Sequence, residues 1–149
     1  MATREELTLK IQDEKRSRGL TWKTIAEGIG PGSPILYTAA LLGQMRLTRP
    51  EAENAARLLG LTEAEAALLT EAPYRGALAT LPPTDPLIYR FHELVQTYGT
   101  TWKALIEEEF GDGIMSAIDF EMQIDREADP KGDRVRINMS GKFLPYRRY

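Results

Sequence analysis

The chain reads as an α+β protein on three observations. The first seventy residues carry repeated helix caps with apolar residues at helical spacing, a proline-rich strap follows, and beyond Gly113 the apolar period drops to two. The architecture expected is an N-terminal all-α bundle of helix-turn-helix look, then a small lobe of two helices and a β-hairpin.

An initial helix is expected around Leu7 and Ile11. Thr21 caps a helix carrying Trp22, Ile25 and Ala26, which stops in Gly28-Ile29-Gly30-Pro31-Gly32. Ser33-Pro34 is a cap with proline at the first helical position, and that helix runs to Leu42 and ends at Gly43. Thr48 with Glu51 and Thr62 with Glu65 are two capping boxes, with Gly60 closing the first of the two helices. About five short helices result. Ala72-Pro73-Tyr74-Arg75-Gly76 and Leu81-Pro82-Pro83-Thr84-Asp85-Pro86 mark the boundary, because the residue before each proline is driven out of the helical region.

Asp85-Pro86 opens a helix whose face carries Leu87, Phe91, Leu94, Val95 and Tyr98, and Gly99 is expected to end it. A second helix after Thr100-Thr101 is expected to bury Trp102, Leu105, Ile106 and Phe110 before stopping at Gly111-Asp112-Gly113. Ile118, Phe120, Met122 and Ile124 then alternate with charged and polar residues in a strand. Asp129-Pro130-Lys131-Gly132-Asp133 turns the chain, and Val135, Ile137 and Met139 alternate in the return. A lone hairpin is marginal and exposes two pairing edges, so an obligate homo-oligomer with the hairpin in its interface is expected.

At 149 residues, with 42% apolar and 28% charged side chains, the chain suits a soluble globular subunit. The formal charge of -3 opposes a binder relying on phosphate neutralisation, so no nucleic-acid partner is expected. With no cysteine there is no disulfide, thiolate nucleophile or cysteine-held metal, and one histidine supports no multi-histidine site; a carboxylate-bound magnesium stays open. The first ten residues hold no apolar run, so neither a secretory signal nor a membrane span is expected and the address is taken as cytoplasmic.

The helix in the recognition position, residues 35–42, offers no Arg, Lys, Asn or Gln to base edges, and residues 1–80 balance ten basic against ten acidic side chains. A structural or oligomer-forming role is preferred there. Gly28, Gly30 and Gly32 follow a helix rather than a strand, with no Lys-Ser or Lys-Thr after them, so a turn is preferred over a phosphate loop. Glu107, Glu108 and Glu109 diverge by about 100° per residue and read as a solvated face. His92 stands about 120° from the centre of its helix's apolar stripe and is expected to be exposed. Arg90, Glu93 and Thr97 form a row along one flank of the apolar face. Spacing alone leaves two readings of it, a surface ion pair of about 0.2–0.5 kcal/mol or an anion site. Ser116, at a strand entrance, is equally open.

The chain resembles the cyanases (cyanate hydratases or cyanate lyases). The resemblance is carried by Pro83-Thr84-Asp85-Pro86, Tyr89-Arg90-Phe91-His92-Glu93 and Tyr98-Gly99. It continues through Phe110-Gly111-Asp112-Gly113-Ile114-Met115-Ser116-Ala117-Ile118 and Gly141-Lys142-Phe143-Leu144-Pro145, with weaker echoes around residues 39–44 and 73–76. It implies a repressor-like helical domain over residues 1–80, structural or oligomer-forming, and a catalytic dimerisation domain over 81–149 that interlaces with a partner's. It further implies a decamer of five dimers with sites between subunits. The reaction implied joins cyanate to bicarbonate, a co-substrate, and yields carbon dioxide and carbamate, which breaks down to ammonia. No cofactor or metal is implied, and the catalytic residues fall on Arg90, Glu93 and Ser116. Two positions depart from the family's pattern: His92 where tyrosine is common, and Glu109 where lysine is expected. The competing reading is a helix-turn-helix regulator whose C-terminal lobe dimerises and senses a small anion.

Overall fold

The computed structural model describes residues 2–149; Met1, with which the first expected domain begins, lies outside them. The chain divides into two compact units, the first ending at Ala77 and the second spanning Leu78–Tyr149.

The first unit holds α1 (Arg4–Ser17), α2 (Trp22–Ile29), α3 (Pro34–Leu41), α4 (Arg49–Leu59) and α5 (Glu63–Thr70). Its caps follow the sequence pattern. The side chains of Thr21, Ser33 and Thr62 accept from the backbone N–H three residues on, and the Glu51 and Glu65 carboxylates accept from the N–H groups of Thr48 and Thr62 at 2.8 Å. Gly60 closes α4 with φ +65°, a left-handed conformation that only glycine adopts cheaply. Leu7, Ile11, Ile25, Ile29, Leu41, Leu59 and Leu69 meet in one core, each at most 1% exposed. Arg4 fastens the ends of this bundle, its guanidinium donating to the carbonyls of Leu68, Ala40 and Met45. Tyr37, 2% exposed, accepts from the Gly32 N–H at 3.0 Å and donates to Glu51 at 3.1 Å, which ties the glycine-rich turn after α2 to the cap of α4.

The second unit holds α6 (Pro86–Phe110), β1 (Gly113–Glu127) and β2 (Arg134–Pro145), the strands forming an antiparallel pair. The register sets Phe120 opposite Gly141, Met122 opposite Met139 and Ile124 opposite Ile137, so the alternating apolar residues of both strands share one face.

Two expectations are corrected here. The two helices expected on either side of Gly99 are one 25-residue helix. Gly99 takes no left-handed turn, and Tyr98 stacks on Trp102 across it at 6.4 Å. The apolar residues 94, 95, 98, 102, 105 and 106 keep their phase, so a glycine costing about 1 kcal/mol relative to alanine is carried through. Trp102, Leu105 and Phe110, expected to be buried, are 44%, 59% and 59% exposed within one chain. Indeed, the buried Ala, Leu, Ile and Tyr side chains among the described residues all belong to the first unit, and the second buries only Pro83 and Ser116.

Candidate active site

The three candidate residues lie in the second unit, two on α6 and one on β1. Asp85 fixes where α6 begins: its carboxylate accepts from the Leu87 and Ile88 N–H groups at 2.9 and 3.0 Å, and Pro86 follows at the first helical position. This start sets the phase that puts Arg90 and Glu93 one turn apart. Their side chains pair at 3.2 Å while remaining 66% and 53% exposed, so the pair contributes little stability and leaves most of the guanidinium's donors uncommitted. The Tyr89 ring lies beneath the guanidinium, 5.9 Å from its central carbon to the ring centroid. His92, expected to be exposed, is half-buried, with its ring 5.8 Å from that of Tyr89.

Ser116 differs in character. It is 5% exposed and is the one buried polar or charged residue among those described. The hairpin register breaks here: Met115 pairs with Phe143 and Phe120 with Gly141, so residues 116–119 bulge opposite Lys142. Within the bulge the Ser116 hydroxyl oxygen accepts from the Ile118 N–H at 3.0 Å and the Asp119 N–H at 2.9 Å. A hydroxyl has one hydrogen to give and two lone pairs. With both lone pairs occupied, what Ser116 has left to offer a ligand is its proton.

The geometry therefore brings Arg90 and Glu93 together and holds Ser116 in its own bulge; among the described residues no hydrogen bond joins Ser116 to the other two within one chain. Sequence reasoning missed the two amides that grip Ser116 and the Gly141 facing them. A lone glycine in an alternating strand was the available signal for a bulge.

The chemistry offered is a cation with donors to spare, a carboxylate that orients it, and a buried hydroxyl restricted to donating. That set suits small anions. Among the described residues no group of three or more His, Asp or Glu side chains converges as a metal site, and no helix is long and apolar enough to cross a membrane. A cavity of about 420 Å³ in the first unit, lined by Leu36, Arg46, Leu47, Thr48 and Glu51, contains none of the three candidates.

Comparison with known proteins covers both units. Residues 4–73 match the model of a family described as cyanate hydratase, N-terminal, and residues 80–148 match that of the cyanate lyase C-terminal domain. The chain is 61% identical over 146 residues to a cyanate hydratase of Ralstonia pickettii (strain 12J), covering 98% of this chain and 99% of that one. It is 59% identical to a cyanate hydratase of Dechloromonas aromatica (strain RCB), with the same coverage. Among solved structures, the crystal structure of cyanase from T. urticae superposes with a TM-score of 0.78 at 38% identity, covering 93% of this chain and 96% of that one.

Proposed function

Because the chain belongs to the cyanate hydratase, or cyanase, family, we infer that it is a carbon–nitrogen lyase that decomposes cyanate, with bicarbonate as co-substrate and Arg90, Glu93 and Ser116 as its catalytic residues. A bicarbonate oxygen attacks the cyanate carbon. The bond between that oxygen and the former bicarbonate carbon then breaks, releasing carbon dioxide, and one proton is taken up to leave carbamate. Carbamate takes a second proton and falls apart to ammonia and another carbon dioxide.

The obstacle is that both reactants are anions, which repel by roughly 4 kcal/mol at 4 Å near a protein surface. The observation that carries the reading is the donor set built to cancel this: an Arg90 fork steadied by Glu93 and a Ser116 proton made available by two backbone amides. Holding the two ions in attack geometry lowers the barrier further without a covalent enzyme intermediate. This scheme calls on no cofactor or metal.

The working enzyme is a homo-oligomer, a decamer built from dimers. Leu87, Val95, Ile118 and Val135 are 69%, 55%, 98% and 74% exposed in a single chain, and the hairpin's strands leave two long unpaired edges. A partner copy supplies the cover. The unbroken α6 supports sites shared between chains. At 25 residues it is about 37 Å long, with Arg90 and Glu93 in its first turns and Ser116 beyond its far end. A break at Gly99 would have let one chain fold back on itself; a continuous rod keeps the two parts of the donor set apart, to be completed by a neighbour. A cytoplasmic setting belongs to the same reading.

The regulator alternative has α3 against it, since Leu36 is exposed there and the helix carries no Arg, Lys, Asn or Gln for bidentate contacts to base edges. Ammonia release from cyanate, measured with and without added bicarbonate, tests the reading. Release that requires both anions is expected; a rate indifferent to bicarbonate contradicts it.

A further inference from the structure

We propose that Gly141 is a positioning residue for the active site: its missing side chain lets the β1 bulge close onto β2, and that closure holds the Ser116 hydroxyl between two backbone amides with its proton turned to the substrate. The proposal rests on the reading of Ser116 as a substrate-contacting group. A Cβ at position 141 would stand 2.3 Å from the Ser116 carbonyl oxygen and 2.7 Å from Met115 Cγ. The Met115 contact is with a flexible side chain that can swing aside. The Ser116 carbonyl is backbone, and it belongs to the same residue whose hydroxyl accepts from Ile118 and Asp119. Gly141 does not adopt a positive φ, so the demand for glycine here is one of space rather than of backbone conformation. Any larger residue must move the 116 peptide, β2 or both by roughly 1 Å, a displacement of the order that costs 10²-fold in rate when it reaches a catalytic group.

The test is a double-mutant cycle on the full-length assembled enzyme, with assembly checked by sedimentation. Gly141→Ala is expected to lower kcat by about 10²-fold, with no greater effect on KM, and Ser116→Ala to lower it at least as far. If Gly141 acts through Ser116, adding Gly141→Ala to Ser116→Ala costs less than about threefold more. Losses that multiply, or a Gly141→Ala enzyme at parental rate beside a crippled Ser116→Ala enzyme, overturn the role of Gly141 and leave the reading of Ser116 standing. A Ser116→Ala enzyme at parental rate overturns both. Rescue of Gly141→Ala by Met115→Ala would put the loss on side-chain packing and overturn the carbonyl argument. Should Gly141→Ala fail to assemble, Ser116→Cys in an Arg90→Gln background gives a second readout, since the chain has no other thiol. Burial raises that thiol's pKa and the two amide donors lower it; Asp119→Pro, which removes one donor, is expected to raise it further, and an unchanged value overturns the proposal.

Discussion

Replacing Tyr37 with phenylalanine removes one oxygen from the helical unit and leaves its packing volume intact. That oxygen accepts from the Gly32 N–H at 3.0 Å and donates to Glu51 at 3.1 Å, from a ring 2% exposed. The variant therefore loses one neutral hydrogen bond, worth about 1 kcal/mol, and one to a carboxylate, worth about 1.5 kcal/mol. Relief from burying the phenol offsets a few tenths, leaving a net loss of about 2 kcal/mol. For a unit of this size each kcal/mol moves the melting temperature by about 4–8 °C, so the helical unit is expected to melt roughly 8–16 °C lower. Glu51 responds in the same variant. Burial pushes its pKa up, but the bonds from Thr48 and Tyr37 outweigh that and hold it below the ordinary carboxylate range, so losing Tyr37's donor moves it back up. Hydrogen exchange followed by mass spectrometry on the full chain reads the effect locally, with Gly32 and the start of α3 losing protection first. A melting temperature within about 2 °C of the parent, with unchanged exchange there, would refute the reasoning.

Other outcomes follow from the same structure. Arg90→Lys keeps the charge and loses the planar fork, so bicarbonate-dependent ammonia release should fall by at least about tenfold; near-parental release contradicts bidentate anion binding. Glu65 is held below the ordinary carboxylate range first by Lys10, which donates to both its oxygens at 2.8 Å, and then by Thr62, with burial opposing. A lowered carboxylate contributes stability that is present above its unfolded value of about 4.3 and is lost as pH falls through the still lower folded value. Glu65→Gln should therefore cost about 1 kcal/mol or less at pH 7 and flatten the stability-versus-pH curve below about pH 4; an acid limb identical to the parent's counts against it. Val95→Glu places a charge on the uncovered face of α6 and should shift sedimentation towards smaller species at micromolar concentration, whereas an unchanged mass argues that this face lies outside any interface.

Much of the fold was legible because local chemistry dictates it. Thr21, Ser33, Thr62 and Asp85 each sit at a helix start with a side-chain oxygen on an orphan N–H, a bond that needs no tertiary context. Gly99 was misleading because a glycine by itself does not stop a helix, and whether the chain turns there depends on whether the apolar stripe continues beyond it. The burial expected for Trp102 and Leu105 assumed that an apolar face finds its cover within its own chain. Of the site, the Arg90–Glu93 pair follows from a three-residue step on a helix. The grip on Ser116 was hidden because it arises from unequal strand lengths across a bulge, and strand alternation read one strand at a time carries no record of the opposing register.

The continuity of α6 also bears on how damage spreads through a population of chains. Arg90 lies in the first turns of that stiff rod and Ser116 on β1 beyond its far end, so if sites are shared between chains as proposed, lesions at the two positions should spoil different pockets of an assembly. Chains carrying Arg90→Gln, inert alone, and chains carrying Ser116→Ala, equally inert, should on co-assembly form some pockets furnished wholly from intact ends. Such a mixture should recover part of the parental turnover that neither species shows alone. Co-folded mixtures that stay silent would mean each pocket draws both groups from the same polypeptide.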